Sequence, residues 1–318
     1  MSFFLGIDGG GSKTECVLAD ESGAVLARAL GLGGNLRRIS AERLRGNLQE
    51  ALETLRGNAG LDRLRPEAVC AGFAGAGDAK ARAMAKAVLQ ELLQPRFLYV
   101  VGDMEVALEA AVGAGPGVVL IAGTGSIAYG RNKKGRTARA GGRGQPGDIG
   151  SGGYMAIRVM QALLKEGRNR KDSPILGKTI EDAFRMAFGQ EPKALMRERG
   201  LGLESKEIPK LVSFAAQAGD PLAQDILEES ATGLAELAVK VIRKLGMGEE
   251  ATLVSLTGGV LSGSEALSMG VRERLLTAAP RARVELLAVS PAEGAVRLAQ
   301  RLWLQSRSFG TEASGPPR

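Results

Sequence analysis

The strongest constraint on the fold is a strand–turn–strand–turn–strand pattern that occurs twice in the chain. The stretch "FLGIDGGGSKTECVLAD" (4–20) places three glycines between two apolar runs, and "ESG" then leads into "AVLARALG" (24–31). This spacing predicts an antiparallel meander rather than a strand followed by a helix. The segment 116–142, with "VVLIAGTGSIAYG" near its start, repeats the pattern. We infer an internal duplication.

Helical and apolar segments alternate after each meander, which indicates an α/β fold with covered sheets. In the first half we predict helices over 40–60, over 79–93 and after Asp103, and strands over 67–77 and 96–103. In the second half we predict helices over 151–166, 173–188, 205–218, 220–245, 264–279 and 291–306, and strands over 251–260 and 282–289.

These elements divide into two predicted domains, residues 1–113 and 114–307. The sequence leaves open whether the final helix, 291–307, packs back on the first domain. The polar, Pro/Gly-rich segment 308–318 is predicted to be a disordered tail.

Composition excludes several kinds of chemistry. The chain has no histidine, so a Ser-His-Asp triad and histidine-ligated metals are excluded, and a metal would be a hard ion such as magnesium. No signal peptide and no long apolar run are found, which predicts a cytoplasmic protein. The net charge is +7, but the basic stretches at 131–139 and 168–171 contain no aromatics. We therefore expect no nucleic-acid or membrane partner; the mild positive charge suits an anionic substrate such as ATP.

The first glycine turn resembles a Walker A loop but lacks its spacing. Ser12 stands between Gly11 and Lys13, and a strand follows where a Walker A loop enters a helix. The turn can still present backbone N–H groups to an anion, with donors added by Lys13 or by the hydroxyls of Ser12 and Thr14. Asp8, beside such an anion, suggests magnesium. A glycine hairpin with Asp8 as a turn former is the alternative.

The second turn, "AGTGSIAYG" (122–130), is the same device, with hydroxyls at Thr124 and Ser126. Two such turns facing each other across a cleft would hold a triphosphate from both sides. The pair is much stronger evidence for a nucleotide than either turn alone.

Two aspartates follow at positions typical of ligand sites. Asp103 comes between an apolar strand and a helix, where ligands of α/β sheets bind, although a helix N-cap is the alternative. Asp148 lies in "GDIGSGGY", whose glycine density favours close approach to a ligand over a simple cap of the helix near Ser151.

Taken together, these segments resemble the sugar kinase, actin and heat-shock ATPase superfamily, and within it the N-acetylglucosamine kinase and BadF-type ATPase family. The matching segments are "GIDGGGSKT", "LGLGGN" (30–35), "AGFAGAG" (71–77), "VGDMEVALEAA" (101–111), "IAGTGSIAYG" (121–130), "GGRGQPGDIGSGGY" (141–154), "LTGGV" (256–260) and "PAEGAVRLA" (291–299). The resemblance implies two ribonuclease-H-like, actin-like ATPase domains with a ligand cleft between them, ATP and Mg²⁺ as cofactors, and a homodimer.

The resemblance also implies roles for individual residues. Asp8 would hold the metal, and Asp103 would be the catalytic base. The implied ATP contacts are Gly9, Gly10, Gly11, Ser12, Lys13, Thr14, Gly123, Thr124, Gly125, Ser126, Gly258 and Gly259. The implied sugar contacts are Asn35, Asp103, Thr124 and Asp148.

The expected function is phosphorylation of a hexose or amino sugar, most plausibly N-acetylglucosamine or glucosamine. Ile149 departs from the family pattern, which usually has a glutamate there, and Gly102 replaces its asparagine or serine; the sugar is therefore open. The alternative is an ATPase subunit that drives electron transfer in an acyl-CoA reductase or dehydratase system through a cysteine-ligated iron–sulfur cluster. Cys16 and Cys70 lie in apolar strands, which argues against that alternative.

Overall fold

The computed structural model describes residues 2–144, 147–164, 175–179, 182 and 208–311. The chain forms two compact units: unit 1 comprises Met1–Gly115 with Leu287–Arg318, and unit 2 comprises Pro116–Leu286. The basic stretch at 168–171, most of the predicted helix at 173–188 and the last residues, 312–318, lie outside the described residues.

Five strands form the sheet of unit 1: β1 (Phe4–Gly9), β2 (Lys13–Ala19), β3 (Val25–Leu32), β4 (Ala68–Phe73) and β5 (Phe97–Gly102). Their order in the sheet is β3-β2-β1-β4-β5. β1 is antiparallel to β2 and parallel to β4, because tight turns join the meander whereas a helix returns the chain to β4. The predicted meander is confirmed.

Helices cover both faces of this sheet: α1 (Ala41–Asn58), α2 (Ala79–Leu93), α3 (Asp103–Val112) and the C-terminal helix (Pro291–Thr311). Ile7 of β1 packs in the core shared with α1 and α2. Phe4, on the opposite side of the same strand, packs in the core shared with α3 and the C-terminal helix. The alternation of side chains along β1 therefore separates two apolar layers.

Unit 2 repeats the plan. Its strands are β6 (Gly117–Ala122), β7 (Ser126–Arg131), β8 (Thr137–Gly141), β9 (Leu253–Thr257) and β10 (Arg283–Leu286). Its helices are α4 (Gly152–Leu164), α5 (Ile208–Gln217), α6 (Pro221–Leu245), α7 (Gly259–Ser262) and α8 (Glu265–Ala278). The strand order is β8-β7-β6-β9-β10, which matches that of unit 1 position by position. The predicted α/β duplication is confirmed.

Several predicted strands are too long, because turns end them early. The strand predicted over 251–260 ends at Thr257, since Gly258 adopts a φ of +98° and the chain enters α7. The strand predicted over 67–77 ends at Phe73. The strand predicted over 282–289 ends at Leu286. The C-terminal helix, in contrast, continues to Thr311, into the predicted tail.

The described helices include none that is both long enough and apolar enough to cross a membrane.

Candidate active site

The first glycine turn joins β1 to β2 and is held tightly from both sides. The Gly10 N–H donates to the Lys13 carbonyl at 2.9 Å, and the Gly34 N–H donates to the Gly10 carbonyl at 3.0 Å. A Cβ added to Gly9 would lie 2.1 Å from the Phe73 ring. Side chains are thus excluded here by contact with neighbouring segments, which fixes the backbone of the turn.

The side chains of this turn face different ways. Thr14 is buried, and its hydroxyl donates to the Leu32 carbonyl at 2.8 Å. Lys13 is exposed and Ser12 is half-buried. Thr14 therefore ties β2 to β3 with its proton, so only its oxygen lone pairs are left for a ligand.

Asp8 lies at the carboxyl end of β1, on the sheet face covered by α3. It pairs in register with Gly72 of β4, and a Cβ on Gly72 would lie 2.3 Å from the Val106 side chain of α3. The pKa of Asp8 is raised to about 7, first by burial and then by the negative charges of Asp103 and Glu15. The fold therefore brings the two predicted carboxylates, Asp8 and Asp103, into one electrostatic environment.

Asp103 is the first residue of α3 and follows β5 directly. Gly102 occupies the N-cap position, with an extended backbone of φ −73° and ψ 148°. One carboxylate oxygen of Asp103, Oδ1, accepts from the Met104 N–H at 3.0 Å, and burial raises the pKa of Asp103. The alternative of Asp103 as the N-cap does not hold, because the preceding glycine takes that position.

Asn35 follows β3, beside the first turn. Its Oδ1 accepts from the Arg37 N–H at 3.0 Å and lies 3.2 Å from the Cβ position of Gly75. Because Oδ1 is engaged in this local turn, Nδ2 is the atom of Asn35 suited to a ligand.

The second glycine turn joins β6 to β7 and is anchored to the start of α4. The Gly152 N–H donates to the Gly123 carbonyl at 2.8 Å, and the Gly153 N–H donates to the Thr124 carbonyl at 3.3 Å. Ser126 is buried, and its hydroxyl donates to the Ile149 carbonyl at 2.8 Å. These contacts bind the carbonyl side of the turn to unit 2 and fix its backbone.

Asp148 is buried directly beneath the second turn. Its Oδ1 accepts from the N–H groups of Arg143 and Gly144 at 2.8 and 3.2 Å. Its Oδ2 lies 2.7 Å from the Cβ position of Gly125. The cap of α4 is Ser151, whose hydroxyl accepts from the N–H three residues on, so the alternative of Asp148 as the helix cap does not hold.

The predicted adenosine motif lies at the same end of the unit 2 sheet. β9 runs parallel to β6 with Thr257 paired to Ile121. A Cβ on Gly258 would lie 2.3 Å from the Ala122 carbonyl oxygen, so only glycine fits beside the end of β6. The "LTGGV" turn and the β6–β7 turn are therefore neighbours within unit 2.

Comparison with known proteins decides the family. The sequence model of the BadF/BadG/BcrA/BcrD ATPase family matches residues 5–299. The chain belongs to this family. The predicted resemblance is confirmed.

Individual relatives of this ATPase family member are similar over nearly their whole length. The N-acetylmuramic acid/N-acetylglucosamine kinase of Clostridium acetobutylicum is 30% identical over 302 residues, covering 94% of this chain and 99% of that protein. The N-acetyl-D-glucosamine kinase of Dictyostelium discoideum is 29% identical, covering 93% and 97%. A Chromobacterium violaceum protein, provisionally named an N-acetylglucosamine kinase, has the same fold, with a TM-score of 0.75, 24% identity, and coverage of 94% and 99%.

The two cysteines of this family member lie on opposite faces of the unit 1 sheet. Cys16 packs in the core shared with α1 and α2, and Cys70 packs in the core shared with α3. Both are fully buried; burial raises the pKa of the Cys16 thiol to about 12 and raises that of Cys70 as well. In unit 1, then, neither thiol is available to a cluster at the protein surface.

Asp8 is the residue whose chemistry fits a magnesium ion. Over the part of the chain that the structure describes, no group of three or more acidic or cysteine side chains forms a complete metal cage. Mg²⁺ does not need such a cage, since it commonly takes one or two carboxylates and keeps waters and phosphate oxygens. The raised pKa of Asp8 marks a carboxylate that its acidic neighbours destabilise, and a nearby cation would relieve this.

Sequence reasoning missed Glu105. Its Oε1 accepts from the Gly102 N–H at 2.9 Å, at the start of α3. The only signal was the glutamate three residues after the cap position, which is half of a capping box.

Proposed function

We propose that this protein is an ATP-dependent kinase that transfers the γ-phosphoryl group to a hydroxyl of an amino sugar, N-acetylglucosamine or glucosamine. Its membership of an ATPase family and its full-length similarity to two curated amino-sugar kinases support this proposal. The observation that carries it is Asp103, a carboxylate at the start of α3 that shares the environment of Asp8 and does not cap the helix.

In this proposal the phosphates bind to backbone donors of the β1–β2 and β6–β7 turns. The contributing residues would be Gly9, Gly10, Gly11, Ser12, Lys13 and Thr14 in unit 1, and Gly123, Thr124, Gly125 and Ser126 in unit 2. The tight packing of both turns supports it, because pre-positioned donors need no reorganisation when charge develops in the transition state. Gly258 and Gly259 would let the nucleoside approach the backbone.

Asp8 would hold Mg²⁺, directly or through water. A bound magnesium ion would neutralise charge on the phosphates.

Asp103 would act as the base. The sugar hydroxyl oxygen attacks the γ-phosphorus, its proton passes to the Asp103 carboxylate, and ADP leaves in line with the attack. Burial raises the pKa of Asp103, which makes its carboxylate a better proton acceptor than an exposed aspartate. Proton transfer to a positioned base contributes about 10²–10⁴-fold to such reactions.

The sugar contacts we propose are Asn35, Thr124 and Asp148, besides Asp103. Nδ2 of Asn35 would donate to a sugar hydroxyl, since its Oδ1 is already engaged. For Asp148, Oδ2 is the atom left for a ligand, because Oδ1 accepts two backbone N–H groups. The side chain of Ile149 is 42% exposed and supplies apolar surface next to Asp148.

The test is ATP-dependent phosphorylation of N-acetylglucosamine, glucosamine, N-acetylmuramic acid and glucose by wild type and Asp103→Asn. We expect an amino sugar to stimulate ADP release, and Asp103→Asn to lower kcat by about 10²–10⁴-fold with the fold intact. The control is Asp78→Asn, which alters the exposed N-cap of α2 and should retain turnover. Wild-type turnover by Asp103→Asn, or no stimulation by any sugar, would contradict the proposal.

The electron-transfer alternative makes a different prediction. Because both thiols are buried within unit 1, we expect a colourless protein whose native form does not react with a thiol reagent. The double variant Cys16→Ala/Cys70→Ala should phosphorylate sugar at the wild-type rate. A brown, oxygen-sensitive protein that loses its colour in the double variant would favour the alternative.

A further inference from the structure

Helix α3 begins without a capping side chain. Four N–H groups at the start of any helix lack partners within the helix, and an N-cap side chain usually accepts from one of them. Here the N-cap is Gly102, which has no side chain. The carboxylate of Glu105 instead reaches back and accepts from the Gly102 N–H at 2.9 Å.

We infer that Glu105 is a positioning residue for Asp103: its carboxylate holds the strand-to-helix junction and so sets where the Asp103 side chain starts. The inference rests on the proposed function, in which Asp103 is the base. Gly102 and Asp103 are adjacent, so the bond to the Gly102 N–H restrains the peptide from which Asp103 projects.

The rest of α3 is held independently of Glu105. Glu109 is buried and forms a two-bond ion pair with Arg301 of the C-terminal helix. A Cβ on Gly294 would lie 2.1 Å from the Val106 carbonyl oxygen, so the two helices touch through their backbones. Loss of the Glu105 bond should therefore loosen the first turn of α3 and leave the body of the helix in place.

The experiment compares Glu105→Ala with Glu105→Gln in steady-state phosphorylation of the amino sugar. Glu105→Ala removes the acceptor, and we expect kcat to fall about 10- to 100-fold with KM for sugar and ATP little changed, because small misplacement of a catalytic group is costly. Glu105→Gln keeps an oxygen acceptor without the charge, and should retain kcat to within about threefold, since catalysis depends on this geometry.

A second change in the Glu105→Ala background tests the mechanism by rescue. Gly102 has backbone angles open to any residue, and its Cβ position meets only ordinary contacts, the nearest at 3.4 Å. Gly102→Ser should therefore fit and supply the missing cap, with its hydroxyl accepting from the N–H of residue 105. We expect Gly102→Ser/Glu105→Ala to regain most of the lost kcat.

The control for a general loss of helix stability is Ser40→Ala. Ser40 caps α1 through a 3.3 Å bond from the Arg43 N–H and has no proposed part in the site. This variant should lose stability of the same order as Glu105→Ala and keep its kcat.

The outcomes separate this inference from the proposed function. Wild-type kcat in Glu105→Ala, with Asp103→Asn inactive, overturns the positioning role and leaves the kinase proposal standing. Wild-type kcat in Asp103→Asn overturns both. If Glu105→Ala does not fold, Glu105→Gln decides: a loss of kcat there of 10-fold or more, with the fold intact, would mean that charge matters and not the hydrogen bond.

Discussion

Neutralising Asp8 should remove a pH-dependent cost to the stability of unit 1. Asp8 lies beside Asp103 and Glu15, and burial and these charges raise its pKa from an ordinary 3.8 to about 7. The folded chain therefore binds a proton at Asp8 more tightly than the unfolded chain does. Stability from this group is complete below about pH 4 and is lost as the pH rises through about 7.

The size of the effect follows from the shift. Each pKa unit corresponds to about 1.36 kcal/mol, so full ionisation of Asp8 costs about 4 kcal/mol. Between pH 5 and pH 8 the calculated loss is about 2.5 kcal/mol. Since Asp8 reaches solvent in part, screening reduces this to about 2 kcal/mol. Asp8→Asn has the same size and no titration, so its stability advantage over wild type should grow by that amount.

The assay is urea unfolding at pH 5 and pH 8, followed by tryptophan fluorescence. Trp303 is the only tryptophan in the chain, and its ring contacts Phe4 of β1 at a centroid distance of 5.2 Å. Its emission therefore reports the core of unit 1. The control is Asp78→Asn: the pKa of Asp78 is lowered by its helix-cap hydrogen bonds, so this carboxylate stays ionised throughout the range.

A stability difference between Asp8→Asn and wild type that is the same at pH 5 and pH 8 would refute the reasoning. It would mean that the two carboxylates do not share an environment in unit 1, and the placement of Asp8 beside the candidate base would have to be abandoned.

Two further predictions concern packing. Gly125→Ala places a Cβ 2.7 Å from the buried carboxylate of Asp148 and should destabilise unit 2 by about 1–3 kcal/mol in calorimetry. Gly123→Ala, whose Cβ meets nothing within 4 Å, should keep the wild-type Tm; equal losses in the two would contradict the steric argument. Arg301→Ala leaves Glu109 buried and unpaired and should cost unit 1 about 3 kcal/mol in urea unfolding, whereas a loss near zero would mean that the pair is solvated.

The sequence was sufficient for features that arise from local patterns. Apolar periodicity located the meanders and the principal helices of the described residues, and the glycine runs marked both turns. Strand ends were less predictable: the predicted strand at 251–260 ran through Gly258 because a left-handed glycine cannot be told from an extended one by composition. The family resemblance was equally readable, since it depends on the order and spacing of short segments.

Choices between neighbouring residues required the structure. The sequence offered Asp103 and Asp148 as helix caps, yet Gly102 and Ser151 occupy those positions, because a cap is defined by the backbone angles at the junction. Thr14, expected to face a ligand, donates its proton inward to β3.

By itself, therefore, the sequence determined two α/β repeats, each with a glycine turn between its first strands, because hydrophobic alternation and glycine placement act over a few residues. Only the tertiary structure decided which carboxylates share an environment. Asp8 and Asp103 are far apart in the chain and become neighbours because β4 inserts between β1 and β5, so that both strands end at one edge of the sheet. Burial there changes the proton affinity of Asp8, and no pattern of residues along the chain encodes that burial directly.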